Sequence, residues 1–133
     1  MQQKVKIFLA SSAELKPERE QIEITINRLN GEWHDEGIFL DLLIWEDGQY
    51  ISTSLRSQDD YNREVRECDI FTMMFHSKVG MYTHEEFGIA KARFEKSERL
   101  RILIFQKDVA FPTTQSRQDS MSLHDFLDEL KSI

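Results

Sequence analysis

Ile70-Phe71-Thr72-Met73-Met74-Phe75, followed by Lys78-Val79-Gly80-Met81-Tyr82-Thr83-His84-Glu85-Glu86-Phe87-Gly88, is the stretch that decides the fold. The first six residues are a short apolar run that reads as a buried strand. The second segment opens an amphipathic helix, expected over roughly His84 to Ser97, with Phe87, Ala90 and Phe94 facing in. A strand feeding a helix through a short turn is half of a βαβ unit. Glu86 then falls in the first helical turn beyond the C-terminal end of a parallel strand. Ligands of open α/β sheets bind at that end.

The same alternation extends in both directions. Val5 to Ala10 reads as a strand buried on both faces. Ser11-Ser12-Ala13-Glu14 fits a capping box, and Leu15, Ile22, Ile26, Leu29 and Trp33 recur at helical spacing behind it. Gly37 ends that helix. Ile38 to Trp45 is a second apolar run, with Asp41 as its interior charge. Glu46 to Thr53 is a turn-rich loop, and a helix is expected from about Leu55 to Glu67. Leu100 to Phe105 is a fourth strand. Leu123, Phe126, Leu127 and Leu130 mark a last helix, with Ser122 and Asp125 as its expected cap. Strands alternating with helices imply a parallel sheet with right-handed crossovers.

With 133 residues, the chain is read as a single domain, 1-133. It stops on a helix without a closing strand, which suggests a domain excerpted from a longer protein. A net charge of −7 argues against general nucleic-acid binding and against an anionic membrane surface. The single cysteine, Cys68, excludes a disulfide framework and suits a reducing cytoplasm. No signal peptide or membrane-spanning stretch is visible.

Each chemical candidate has a plainer structural reading. Thr83-x-x-Glu86 is itself a capping-box pattern, which would make Glu86 a helix cap. Tyr82 stacks on a ligand ring or closes the helix entrance. Ser11 and Ser12 donate to a ligand hydroxyl or phosphate, or cap their helix. Trp45 and Asp47 end the second strand as packing and turn residues or as substrate contacts. Lys78 pairs with a phosphate or is an ordinary solvated lysine. His34, His76, His84 and His124 lack metal-ligand spacing, so no metal is expected. Cys68 reads as a small buried residue. Neither a phosphate-binding P-loop nor a GxGxxG fingerprint occurs.

Four segments occur in order: Lys6-Ile7-Phe8-Leu9-Ala10-Ser11-Ser12-Ala13-Glu14-Leu15, Trp45-Glu46-Asp47, Arg66-Glu67-Cys68-Asp69-Ile70-Phe71, and Lys78 to Phe87. Together, over about Lys4 to Asp108, they resemble the bacterial branch of the TIR (Toll/interleukin-receptor) domain superfamily. The resemblance implies a flavodoxin-like three-layer sandwich with a parallel sheet of order 2-1-3-4-5, of which four strands are evident here. It also implies an NAD⁺-cleaving enzyme. In that family a catalytic glutamate lies four residues after an aromatic, usually Trp, and Tyr82-x-x-x-Glu86 matches with Tyr instead.

On this resemblance Glu86 is catalytic, and Ser11, Ser12, Trp45, Asp47, Lys78 and Tyr82 form the substrate-binding set. NAD⁺ is then the substrate, with no further cofactor. Gly48 to Thr53 would pack on a neighbouring subunit, so the partners are other TIR domains and further domains of a longer immune or antiphage protein. Two alternatives compete. One is a non-enzymatic TIR adaptor that works by self-association. The other is a nucleoside deoxyribosyltransferase-like enzyme, suggested by Glu86-Phe87-Gly88-Ile89-Ala90, in which the glutamate attacks the sugar.

Overall fold

A computed structural model describes residues 3–11, 13–46, 58–96 and 99–132. Four strands alternate with four helices: β1 Gln3–Ser11, α1 Lys16–Trp33, β2 Ile38–Glu46, α2 Gln58–Glu67, β3 Ile70–Phe75, α3 Met81–Glu95, β4 Arg101–Gln106 and α4 Arg117–Lys131. The strands form one sheet in the order β2-β1-β3-β4. Every pairing is parallel. This α/β arrangement is compatible with the doubly wound order 2-1-3-4-5. Among the described residues no fifth strand follows β4, and the stretch from Lys107 to α4 is loop.

Register explains how the two faces are filled. Phe8 lies beside Leu43 on β2 and Phe71 on β3, and Phe71 lies beside Ile102 on β4. This row faces α2, α3 and α4, where Val65, Phe87, Ala90, Leu123 and Phe126 close the main core. Phe8 and Phe71 stack at 5.8 Å, and Phe126 meets both Phe75 and Phe87 edge-on. On the opposite face Leu9, Leu15 and Met74 pack with Ile22, Leu42 and Ile44 beneath α1.

The two sheet edges are treated differently. On β2 the Asn30 side chain of α1 donates to the Leu40 carbonyl at 3.0 Å and accepts the Leu40 N–H at 2.7 Å. An amide on the helix thus stands in for a missing neighbour strand. Gly37 makes the turn into β2 with φ 72°, a left-handed conformation that favours glycine.

Several boundaries depart from the sequence expectation. α1 starts at Lys16 with Leu15 as N-cap and no side-chain capping bond, so Ser11 and Glu14 do not form a capping box. Ser11 ends β1 instead, and Glu14 is used across the fold. α3 begins at Met81 after an extended Gly80, three residues before the expected His84. Phe94 is 54% exposed rather than inward, because the last turn of α3 runs to the open edge of the sheet. α4 starts at Arg117, and Ser116 with Asp119 makes its capping box in place of Ser122 with Asp125. Ser122 accepts the Val79 N–H at 3.1 Å, anchoring the entrance to α3. Among the described residues no helix is long and apolar enough to cross a membrane.

Candidate functional site

The start of α1 ties together the C-terminal ends of three strands. The Glu14 carboxylate accepts the Ser77 backbone N–H at 2.8 Å and the Ser77 hydroxyl at 2.5 Å, joining the loop before α1 to the exit of β3. One helical turn on, Glu18 pairs with Lys107 at 2.6 Å at the exit of β4. That bond holds the Glu18 carboxyl below its usual range, against the opposing effect of burial. Arg19, only 5% exposed, donates to the Ser11 hydroxyl at the end of β1 at 3.1 Å. Both ring nitrogens of the buried His76 face carbonyls, Lys107 at 3.1 Å and Ala110 at 3.2 Å, which fixes the loop after β4.

α3 supplies the carboxylate. Because the helix starts at Met81, Thr83 and Glu86 lie one turn apart on its inner face, and Glu86 is in the second turn. Glu86 is 0% exposed and Thr83 is buried with it. Thr83 Oγ1 finds no hydrogen-bond partner among the described residues. Gly80 as N-cap removes the reading of Thr83 and Glu86 as a capping box. On the adjoining surface Asn62 of α2 donates to Glu85 at 3.3 Å.

The sequence-derived residues fare unequally. Ser11 is fully buried where β1 ends, one strand away from the exit of β3. Lys78 is half-buried in the loop between β3 and α3. Trp45 belongs to β2 and pairs in register with Ala10. Tyr82 belongs to the first turn of α3. The side chains of Trp45 and Tyr82, and the whole of Ser12, Asp47 and the loop from Gly48 to Thr53, lie outside the described residues.

Glu14 and Arg19 were not singled out from the sequence as site residues. A signal for Arg19 was present: it stands on the apolar stripe between Leu15 and Ile22, where a charge is out of place. Besides the buried Asn62, Thr72, His76 and Ser77, the interior thus holds the Arg19 guanidinium with the Ser11 hydroxyl on the α1 side and the Glu86 carboxylate with the Thr83 hydroxyl on α3. Burying such groups is costly, and they concentrate at functional sites.

Other features are chemically quieter. Burial pushes the Cys68 thiol up to about 11, despite the nearby Arg93. Arg93 itself donates to the Val65 and Cys68 carbonyls at 2.7 and 2.9 Å, closing the end of α2. A cavity of about 360 Å³ lies between α3 and α4, with Val79 and Phe126 at its floor. His84 and Glu129 pair across it at 2.6 Å. Glu86 is not among its lining residues. Among the described residues no group of three or more His, Cys, Asp or Glu is arranged to hold a metal ion.

No protein-family model, curated protein or solved structure matches the chain.

Proposed function

We propose that this chain is a TIR-like domain of flavodoxin-like plan that cleaves the nicotinamide–ribose bond of NAD⁺, with Glu86 as its catalytic carboxylate. The observation that carries the reading is a fully buried glutamate beyond a parallel strand, in the second turn of a helix it does not cap. The sequence resemblance to bacterial TIR domains supplies the substrate.

One carboxylate suffices for this reaction. The leaving group of NAD⁺ is a pyridinium that departs as neutral nicotinamide, so it needs no proton, unlike an ordinary glycoside. The ribosyl carbon becomes oxocarbenium-like as the bond breaks. A carboxylate fixed near the ribose stabilises that charge most strongly where water is excluded. Water then adds at the same carbon, giving ADP-ribose and releasing one proton. Attack by an adenine nitrogen instead gives a cyclic product. Ser11, Ser12, Trp45, Asp47, Lys78 and Tyr82 form the substrate-binding set in this reading.

Glu86 has no accessible surface in the single chain. Substrate must therefore be admitted by movement of the elements over it, which suits an effector switched on by self-association. The same burial is the observation that favours the second reading, a non-enzymatic adaptor in which Glu86 is structural.

Nicotinamide release from NAD⁺, followed by chromatography at high protein concentration, separates the two. Under the enzymatic reading Glu86→Gln lowers the rate by about 100-fold or more, since loss of one electrostatic stabiliser costs on that order. Its thermal melt is recorded beside the assay to verify folding. Release by a folded Glu86→Gln variant at the wild-type rate would falsify the catalytic assignment.

A further inference from the structure

Two buried hydroxyls at the C-terminal end of the sheet are held by neighbours. Ser11 accepts from Arg19 at 3.1 Å, and Ser77 donates to Glu14 at 2.5 Å. Thr83 differs. It is 1% exposed, and its Oγ1 has no hydrogen-bond partner among the described residues. The ordinary uses of a threonine hydroxyl near a helix start are both absent. Thr83 is not the N-cap, because α3 begins at Met81 behind Gly80. Nor does it bond back to a carbonyl of the preceding turn, the habit of threonine inside a helix. Nearly all buried polar groups are paired, so an exception points to a partner that arrives from outside the chain. Three residues on, and on the same inner face of α3, stands Glu86 with no exposed surface. Side chains at that spacing lie roughly 5–6 Å apart at Cβ. A group in contact with the Glu86 carboxylate is therefore within reach of the Thr83 hydroxyl.

We propose that Thr83 is a substrate-binding residue whose hydroxyl bonds a ribose hydroxyl of the substrate beside Glu86. The proposal rests on the NAD⁺ reading of that site. The chemistry of the pair selects the sugar. A carboxylate repels the diphosphate, so the phosphates lie elsewhere. The reading sets Glu86 against the ribosyl carbon, and the nearest polar groups of the nucleotide are then the hydroxyls of the same ring. A threonine hydroxyl both donates and accepts, as a sugar hydroxyl does, so either can take either part. Substrate thus completes a group that the folded chain leaves unpaired. A buried group waiting for a hydroxyl also discriminates strongly against a ligand that lacks it.

Thr83→Val keeps the branched shape and removes only the unpaired hydroxyl, so its melting temperature equals or exceeds that of wild type. A clear fall would mean that the hydroxyl is bonded within the fold, and overturns the proposal. Binding is measured by titration calorimetry on Glu86→Gln, where cleavage does not interfere, with NAD⁺ and with its 2′-deoxy and 3′-deoxy analogues in the nicotinamide ribose. Adding Thr83→Val weakens NAD⁺ binding about tenfold or more, and Thr83→Ser in its place restores binding to within about threefold. Against one of the two deoxy analogues Thr83→Val makes no difference, because the hydroxyl it serves is already missing. That pattern supports the proposal whatever nicotinamide release shows, and wild type that binds in this way without releasing nicotinamide strikes the cleavage reading alone. Equal binding with and without Thr83→Val means that a trapped water completes the hydroxyl. It overturns the proposal and leaves Glu86 untouched. An equal loss against all three ligands overturns the assignment to the sugar. Absence of NAD⁺ binding at millimolar concentration overturns the proposal together with the reading on which it rests.

Discussion

Glu14 shows how one side chain can be claimed by local and distant partners at once. Its sequence context, Ser11-Ser12-Ala13-Glu14, is a capping box by pattern, yet its two oxygens take a backbone N–H and a hydroxyl from Ser77. The distant partner wins because the exit of β3 has a backbone donor that needs an acceptor, and a carboxylate makes a stronger bond than a neutral group. Glu14→Ala should lower the unfolding free energy by about 2 kcal/mol and Ser77→Ala by about 1 kcal/mol, in urea titrations at neutral pH. The double variant should cost clearly less than the sum, since the residues share their bonds. Strict additivity would mean that the contact contributes nothing. Cys68 gives a pH signature of its own. Its thiol is raised in the folded protein from 9.0 to about 11. The folded state therefore favours the neutral thiol, and the stability tied to it is fully present below pH 9.0, then lost as pH climbs through about 11. Cys68→Ala should flatten the fall in stability over that window. An unchanged alkaline slope would show that other groups govern it.

At the scale of elements, the apolar periodicities found the four strands and the inward faces of the helices, but they did not fix the caps. Ser116-Arg117-Gln118-Asp119 and Ser122-Leu123-His124-Asp125 carry the same spacing, and only the first is a capping box. The helix extends back to Arg117 because polar residues such as Gln118 and Asp119 fit a solvent-facing first turn as readily as a loop. Ser122 is then free to serve α3 through Val79. Ser116→Ala should destabilise the protein by about 1 kcal/mol, the usual cost of losing an N-cap. Helical circular dichroism should fray with it under mild denaturant. If Ser116→Ala melts like wild type, the first turn of α4 adds nothing to the fold. The inward assignment of Phe94 failed for a related reason. The stripe Phe87, Ala90, Phe94 is continuous in sequence, but the sheet beneath it ends at β4, and a helical pattern cannot report where its partner stops. Glu86 was legible as a position and not as an environment. Its spacing from Thr83 spoke for a cap, and only the start of α3 at Met81 moved it into the interior.

Strand count and parallel pairing were readable from alternating strand and helix patterns, because a parallel strand needs a helical crossover to return. Which strands flank β4 was not readable, since a sheet's margin depends on what lies beside it and not on the strand's own pattern. At the scale of the whole molecule, the net charge of −7 opposes association of copies over distances comparable to the Debye length. If the reaction proposed for Glu86 requires self-association, salt should promote it by screening that repulsion. Nicotinamide release per molecule, at fixed protein concentration, should then climb as sodium chloride rises from about 20 to about 300 mM, where the Debye length shrinks from roughly 20 Å to under 10 Å. Release that stays flat over the series would separate the opening of Glu86 from the meeting of like-charged copies.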